Sequence, residues 1–209
     1  MKTTSDANRN IVLALTGASV MPVAIELIRN LLAEKVSLSI VYSEAAKTVM
    51  SQESTLILSD DPQTTQQTLC HYFNVSKEKL RVYANNDWSA PMASGSGTEE
   101  AMIICPASMG TVSAIAHGAS DDLLTRAADV MIKEKKPLIL VPREAPLSAI
   151  HLENLLKLAQ VGATIIPAMM TFYHQPKDIG SMIDILVCRI LNHLGILSDR
   201  QFHWGHSDQ

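Results

Sequence analysis

The sequence of 209 residues predicts an α/β protein, a three-layer αβα sandwich around a mostly parallel, Rossmann-like or flavodoxin-like sheet. Short apolar runs alternate with amphipathic segments of helical length. The apolar runs are nearly continuous, which is typical of parallel strands buried on both faces. We expect a single domain over residues 1–209, with flexible polar ends at residues 1–9 and 203–209.

The first half of the chain supplies three predicted strands and two helices. The run IVLALT, Ile11–Thr16, predicts the first strand, and Val23–Glu34 has apolar residues at helical spacing. SLSIVY, Ser37–Tyr42, predicts a second strand, and Glu44–Ser51 a short helix. Leu80–Tyr83 predicts a short third strand.

The second half continues the same alternation. Apolar runs predict strands at Ala101–Pro106, Leu138–Val141 and Thr164–Ile166. Helical spacing predicts helices at Thr111–His117, Leu123–Lys135, Ser148–Gln160 and Ile179–Leu194. Two stretches interrupt the pattern and are predicted to be long loops, Gln52–Gln67 and Asn85–Gly97. The second loop carries Trp88 in a polar context, which favours a functional role.

Composition excludes several classes of function. The net charge of -4 and the absence of a basic cluster longer than Lys133–Lys136 argue against nucleic-acid binding. No apolar run reaches membrane-spanning length, and the start of the chain lacks a signal peptide, so we expect a cytoplasmic protein. Cys70, Cys105 and Cys188 form no disulfide or zinc pattern, and the seven histidines form no ligand motif. We therefore expect no metal.

Two turns follow predicted strands at positions where parallel sheets bind ligands. Gly17, Ala18 and Ser19 follow the first strand, although GASVMP is not a dinucleotide fingerprint. The alternative is an ordinary turn with Ser19 as a helix N-cap. Ser108–Thr111 follows the fourth strand in the same way, and its hydroxyl groups either cap a helix or bind an anion.

The run LILVPREAPLSAIHLENL is the strongest local signal. Arg143 and Glu144 follow a buried strand and stand between Pro142 and Pro146. A guanidinium and a carboxylate at the carboxyl end of a strand indicate a site that binds an anion and moves a proton.

Other polar side chains have competing interpretations. Arg126 and Lys133 are seven residues apart and share a helix face, which is either a solvated surface or part of a site. Arg189 interrupts an apolar helix and requires a partner, such as a structural ion pair. Tyr173 is either a core aromatic residue or a ligand-binding residue.

Several motifs are spread from Ile11 to Leu197, namely GAS after the first strand, NDWxAPxASGS, ICPxSxGTxSAIAxG, RAADVxxKExxPLxLVPREAPLSxIHLENxLKL and FYHQP. Together they resemble the UbiX-like flavin prenyltransferase family. The resemblance implies an enzyme that joins the dimethylallyl group of dimethylallyl phosphate to N5 and C6 of reduced FMN, without a metal. It also implies a homododecamer with sites at subunit interfaces. The prenylated FMN would serve a UbiD-like decarboxylase, as in ubiquinone biosynthesis.

The resemblance also implies site residues at matching positions. FMN would contact Gly17, Ala18, Ser19, Ser43, Ser108, Met109, Gly110, Thr111 and Arg143. The prenyl phosphate would contact Tyr173, Arg189, Arg126, Lys133 and Glu144, with Glu53 and Trp88 beside the reacting centre.

Physical chemistry suggests roles for these residues. Arg189 and Lys133 would compensate the leaving phosphate, and Tyr173 would donate to it. Glu144 would relay a proton to that phosphate, with its pKa tuned by Lys133.

Three further roles concern the reacting centre. The aromatic face of Trp88 or the flavin ring would stabilise allylic cation character. Glu53 or the released phosphate would accept the C6 proton, and Ser19 would bond near N5.

The sequence departs from the family pattern in two places. Val20 and Met21 follow Ser19 where a glycine and a small residue are common, which narrows the flavin space or alters the helix entry. Met109 replaces a hydroxylated residue. Two alternative functions are a flavin-dependent peptidyl-cysteine decarboxylase and a non-catalytic FMN carrier.

Overall fold

The computed structural model describes residues 9–34, 36–97, 99–173 and 175–196. Its strands are β1 Arg9–Leu15, β2 Val36–Tyr42, β3 Leu80–Val82, β4 Ala101–Ala107, β5 Leu138–Pro142 and β6 Thr164–Ile165. Its helices are α1 Met21–Ala33, α2 Glu44–Glu53, α3 Pro62–Phe73, α4 Met109–Ala116, α5 Leu123–Lys133, α6 Ala149–Gln160 and α7 Ile179–His193.

The six strands form one sheet in the order β3-β2-β1-β4-β5-β6, and every neighbouring pair is parallel. This is the Rossmann order, in which the crossovers change direction between β1 and β4. The predicted fold class is therefore confirmed. A ligand cleft is expected outside the carboxyl ends of those two strands.

Two apolar cores cover the two faces of the sheet. The first contains the buried faces of α1, α2, α3 and α7, and the second those of α4, α5 and α6. Cys105 and Cys188 are both buried. Burial raises the pKa of the Cys105 thiol to about 12, so this thiol stays protonated at neutral pH.

Two expectations about irregular segments are wrong. The predicted loop Gln52–Gln67 contains the start of α3, which Asp61 caps through the N–H groups of Gln63 and Thr64. Arg9 does not belong to a flexible end, because it begins β1 and its guanidinium donates to the Leu194 carbonyl at 2.8 Å. The other end residues, 1–8 and 203–209, lie outside the described ranges.

The predicted loop Asn85–Gly97 crosses the second face of the sheet along α5. Its first residue accepts hydrogen bonds from the N–H groups of Leu123 and Leu124, where α5 begins. The short 3-10 helix Pro91–Ala93 lies in its middle, and the Ala93 carbonyl accepts from Arg126. In the described part of the chain, no helix is long and apolar enough to span a membrane.

Candidate active site

A cleft of about 430 Å³ opens at the carboxyl edge of the sheet, where the neighbouring strands β1, β4 and β5 end. The end of α2 forms the remaining wall of the cleft. The lining residues are Gly17, Ala18, Ser19, Val49, Gln52, Glu53, Ser108, Met109, Arg143 and Glu144. The structure thus brings together the two predicted turns and the predicted arginine–glutamate pair.

The buried side chain of Thr16 joins the two turns of the cleft. Its hydroxyl donates to the Pro106 carbonyl at 2.8 Å and accepts the Ser108 N–H at 2.7 Å. Thr16 is fully buried. Sequence reasoning included this residue in an apolar strand and missed its role, because only the pairing of β1 with β4 places Ser108 beside it.

The turn after β1 does not use Ser19 as a helix cap, so that interpretation is wrong. Val20 is the N-cap of α1, with a left-handed backbone (φ 84°) and no side-chain cap. Such a conformation costs a non-glycine residue about 1–2 kcal/mol. The Glu53 carboxylate takes the place of the cap, because its Oε2 accepts the N–H groups of Val20 and Met21 at 2.9 and 2.8 Å.

Gly17 is required by the close approach of this turn to α2. A Cβ atom at position 17 would overlap the side chain of Ala45. Neither Val20 nor Met21 lines the cleft, and Met21 is fully buried. The bulky residues after Ser19 therefore alter the entry into α1 and do not narrow the cleft.

The start of α4 has donors available to a ligand. Ser108 caps this helix by accepting the Thr111 N–H at 3.3 Å, as the capping interpretation predicts. Among the described residues, no acceptor pairs with the N–H groups of Met109 and Gly110. The first N–H groups of α1 are occupied by Glu53, so α4 is the better anion site of the two helices.

Arg143 and Glu144 reach the cleft from the end of β5. Both side chains are exposed, and Glu144 Oε1 accepts the Ala145 N–H at 3.1 Å. Within the described ranges, no carboxylate pairs with Arg143. The guanidinium is therefore available to an anionic ligand.

A second, mostly apolar cavity of about 590 Å³ lies between α7 and the segment that follows β6, and it contains Tyr173 and Arg189. Its wall includes Ile166 and Pro167, and the next residue, Ala168, donates its N–H to the Pro142 carbonyl at 3.0 Å. Tyr173 is 75% exposed, so it is not a core aromatic residue. Arg189 is exposed and has no ion pair with any described residue, so the structural ion pair is not found there.

Lys133 lies at the opposite edge of the sheet. It ends α5, and the chain then enters β5 at Leu138, whereas Glu144 follows the end of β5. Five strand residues span about 16 Å. The expected contact between Lys133 and Glu144 is therefore not made within one chain. The Nζ atom of Lys133 instead lies 3.5 Å from Oε1 of Glu134.

The remaining predicted residues lie outside the cleft. Ser43 caps α2 next to it, and the Ser43 N–H donates to Leu15 at the end of β1. Arg126 is bound to Asp129 and to the Ala93 carbonyl. Trp88 is 54% exposed and lines neither cavity. In the described part of the chain, no three histidine, cysteine or acidic side chains group as metal ligands do.

Comparisons with known proteins agree with this geometry. Residues 1–190 match the model of the Flavoprotein family. The flavin prenyltransferase UbiX of Pseudomonas aeruginosa is 48% identical over 195 residues, covering 93% of each chain. The corresponding enzyme of Alkalihalophilus pseudofirmus is 44% identical over 191 residues, covering 91% of this chain and 94% of its own.

Solved structures show the same fold. AnUbiX, in complex with FMN and dimethylallyl pyrophosphate, has a TM-score of 0.84 at 34% identity, over 97% of this chain and 100% of its own. A dodecameric FMN-dependent UbiX-like decarboxylase from Escherichia coli has a TM-score of 0.83 at 31% identity, over 94% of this chain and 100% of its own. The chain belongs to the Flavoprotein family and, within it, to the UbiX-like flavin prenyltransferases.

Proposed function

We propose that the protein joins the dimethylallyl group of dimethylallyl phosphate to N5 and C6 of reduced FMN, and that a UbiD-like decarboxylase receives the product. The observation that carries this proposal is a pair of cavities whose lining segments are connected by the hydrogen bond from the Ala168 N–H to the Pro142 carbonyl. One is a polar cleft with Arg143 and Glu144, and the other is an apolar cavity with Tyr173 and Arg189. Two ligands of different character would meet between them.

The polar cleft suits FMN. Reduced FMN, when bound, supplies the nucleophilic positions N5 and C6. The N–H groups of Met109 and Gly110, with the hydroxyl groups of Ser108 and Thr111, would bind its phosphate at the start of α4. Ser19 would donate near N5, and Arg143 would bind an anionic part of the flavin.

The apolar cavity suits the prenyl phosphate. Its aliphatic walls would hold the dimethylallyl chain, and Arg189 and Tyr173 would bind the phosphate. Departure of phosphate requires charge compensation, which a guanidinium supplies. Glu144, on the side of the flavin cleft, would pass a proton to the departing phosphate.

Lys133, Arg126 and Trp88 would complete the site from a second copy of the chain. Lys133 and Glu144 lie at opposite edges of one sheet, so one copy cannot supply both to the same phosphate. The dodecameric relative from Escherichia coli supports an assembly of this kind. In a homododecamer, Lys133 of one subunit would approach Glu144 of the next.

The C6 proton requires an acceptor. Glu53 lines the cleft, but its Oε2 already holds two backbone N–H groups of α1. The released phosphate, formed beside the reacting atoms, is therefore the better acceptor.

A mass measurement tests the proposed function. The protein is mixed anaerobically with reduced FMN and dimethylallyl phosphate in the presence of a chelator. The mass of the flavin is then measured by mass spectrometry. We expect a gain of one prenyl unit, and Glu144→Gln should slow it by about 100-fold, as for loss of a general acid. Bound flavin of unchanged mass would favour the carrier alternative. Decarboxylation of a peptide with a carboxyl-terminal cysteine would favour the cysteine decarboxylase.

A further inference from the structure

Val20 has a backbone conformation that valine rarely adopts. Its φ of 84° and ψ of 33° lie in the left-handed region, where a β-branched side chain is crowded. The side chain packs against the first core and is absent from the lining of the cleft. Packing therefore fixes Val20 in this conformation at the end of the Gly17–Ser19 turn.

The N-terminus of α1 has few ways to satisfy its donors. Val20 provides no side-chain cap, and Pro22 has no N–H group. The N–H of Val23 bonds to the Val20 carbonyl at 3.0 Å. Within the described residues, the acceptor for the N–H groups of Val20 and Met21 is Glu53.

Glu53 reaches this helix from a different element. It is the last residue of α2, 33 residues after Val20. It lines the cleft between α2 and the turn after β1. The carboxylate also places a negative charge where the peptide dipoles of α1 are positive. The contact thus fastens α2 to the turn that carries Ser19.

We propose that Glu53 is a positioning residue, whose carboxylate holds the left-handed turn at Val20 and thereby fixes the Gly17–Ser19 wall of the flavin cleft. The inference rests on FMN binding in that cleft, as in the proposed function. Its distinguishing feature is a dependence on position 20. A glycine there would adopt the left-handed conformation without strain and would need the carboxylate less.

A double-mutant cycle tests this dependence. FMN dissociation constants, from quenching of flavin fluorescence, and melting temperatures are measured for E53A, E53Q, V20G and V20G/E53A. We expect E53A to weaken FMN binding by about tenfold, a typical consequence of losing a helix cap. E53Q should lose less, because its amide oxygen still accepts a hydrogen bond. The double variant V20G/E53A should recover most of the FMN affinity that E53A loses.

The matched control is E26Q, which removes a carboxylate of α1 that pairs with Arg29 and Asn30. We expect E26Q to leave the FMN affinity unchanged. The proposal is overturned if E53A binds FMN as the wild type does, or if V20G restores nothing to E53A. It is also overturned if E53Q binds FMN normally but loses turnover, which is the behaviour of a proton acceptor. These binding measurements omit the prenyl donor, so failure of prenyl transfer would leave them interpretable.

Discussion

At the residue scale, the Thr16 hydroxyl links the two turns that line the cleft. It donates to the Pro106 carbonyl near the end of β4 and accepts the N–H of Ser108, the first residue after β4. A buried N–H without an acceptor costs about 1–3 kcal/mol. The wall of the cleft therefore depends on a group that does not itself line it.

We predict that Thr16→Val destabilises the protein by about 2 kcal/mol, since the Ser108 N–H loses its acceptor. FMN binding should weaken as well, because the two side-chain hydrogen bonds that join the ends of β1 and β4 are lost. Thr16→Ser should retain both properties. Chemical denaturation and flavin titration provide the two measurements.

The matched control is Thr65→Val, because Thr65 is equally buried, its hydroxyl accepts the Ser59 N–H at 2.8 Å, and neither residue lines the cleft. It should lower stability by a similar amount and leave FMN affinity unchanged. Equal losses of affinity in Thr16→Val and Thr65→Val would mean that general destabilisation explains both.

Sequence reasoning located the residues that directly follow strands. Ser19, Ser108, Arg143 and Glu144 all line one cleft, because parallel strands end at the same sheet edge. It did not locate Thr16, whose role depends on a neighbour 92 residues away. It also did not locate the hydrogen bonds of Glu53 to α1, because no local pattern shows a helix capped by a distant carboxylate.

At the element scale, α3 shows why a helix escapes a search for apolar periodicity. Only Thr65, Leu69 and Cys70 of this helix are buried, so its apolar stripe is weak. The available signal was its termini, since Asp61 is an N-cap followed by Pro62 at the first helical position. Strongly amphipathic helices such as α5 were found at nearly correct bounds.

The cap of α3 gives a prediction about pH. Hydrogen bonds from Thr64 and from the Gln63 N–H lower the pKa of Asp61 below its ordinary value of 3.8. The stabilisation is therefore present above that ordinary value and is lost as the pH falls through the lowered pKa. Asn caps helices about as well as Asp but carries no charge.

We expect the difference in melting temperature between the wild type and Asp61→Asn to shrink as the pH falls from 6 to about 3. Thermal unfolding at a series of pH values measures it. A difference that stays constant over this range would show that the charge of Asp61 does not contribute.

At the scale of the whole molecule, the position of Lys133 is the basis for our proposal that two chains contribute to one site. The sheet separates Lys133 from Glu144, although the resemblance places both on one phosphate. The sequence could indicate which residues belong to the site. The resemblance implies sites at subunit interfaces, but it does not indicate which residue would come from a neighbouring copy, because that depends on the direction of α5 relative to β5.

Mixing inactive subunits tests this arrangement. Lys133→Ala and Glu144→Gln should each be inactive, but a coexpressed equal mixture should recover roughly a quarter of wild-type activity, the share of sites that receive both native residues. Arg143→Ala mixed with Glu144→Gln is the control, since one chain supplies both positions and no site is restored. If the first mixture gains no more than the control, the shared site is wrong.

The second core has a consequence for the chain while it is being made. Val12, Ala14 and Val41 belong to this core, but their partners begin only at Ala90 and continue to Ala163. Domains form progressively as a chain leaves the ribosome, at about 5–20 residues per second. For several seconds, one side of β1 and β2 is therefore an uncovered apolar surface on the nascent chain. Molecular chaperones that bind such surfaces would meet this protein early in translation, before its flavin cleft exists.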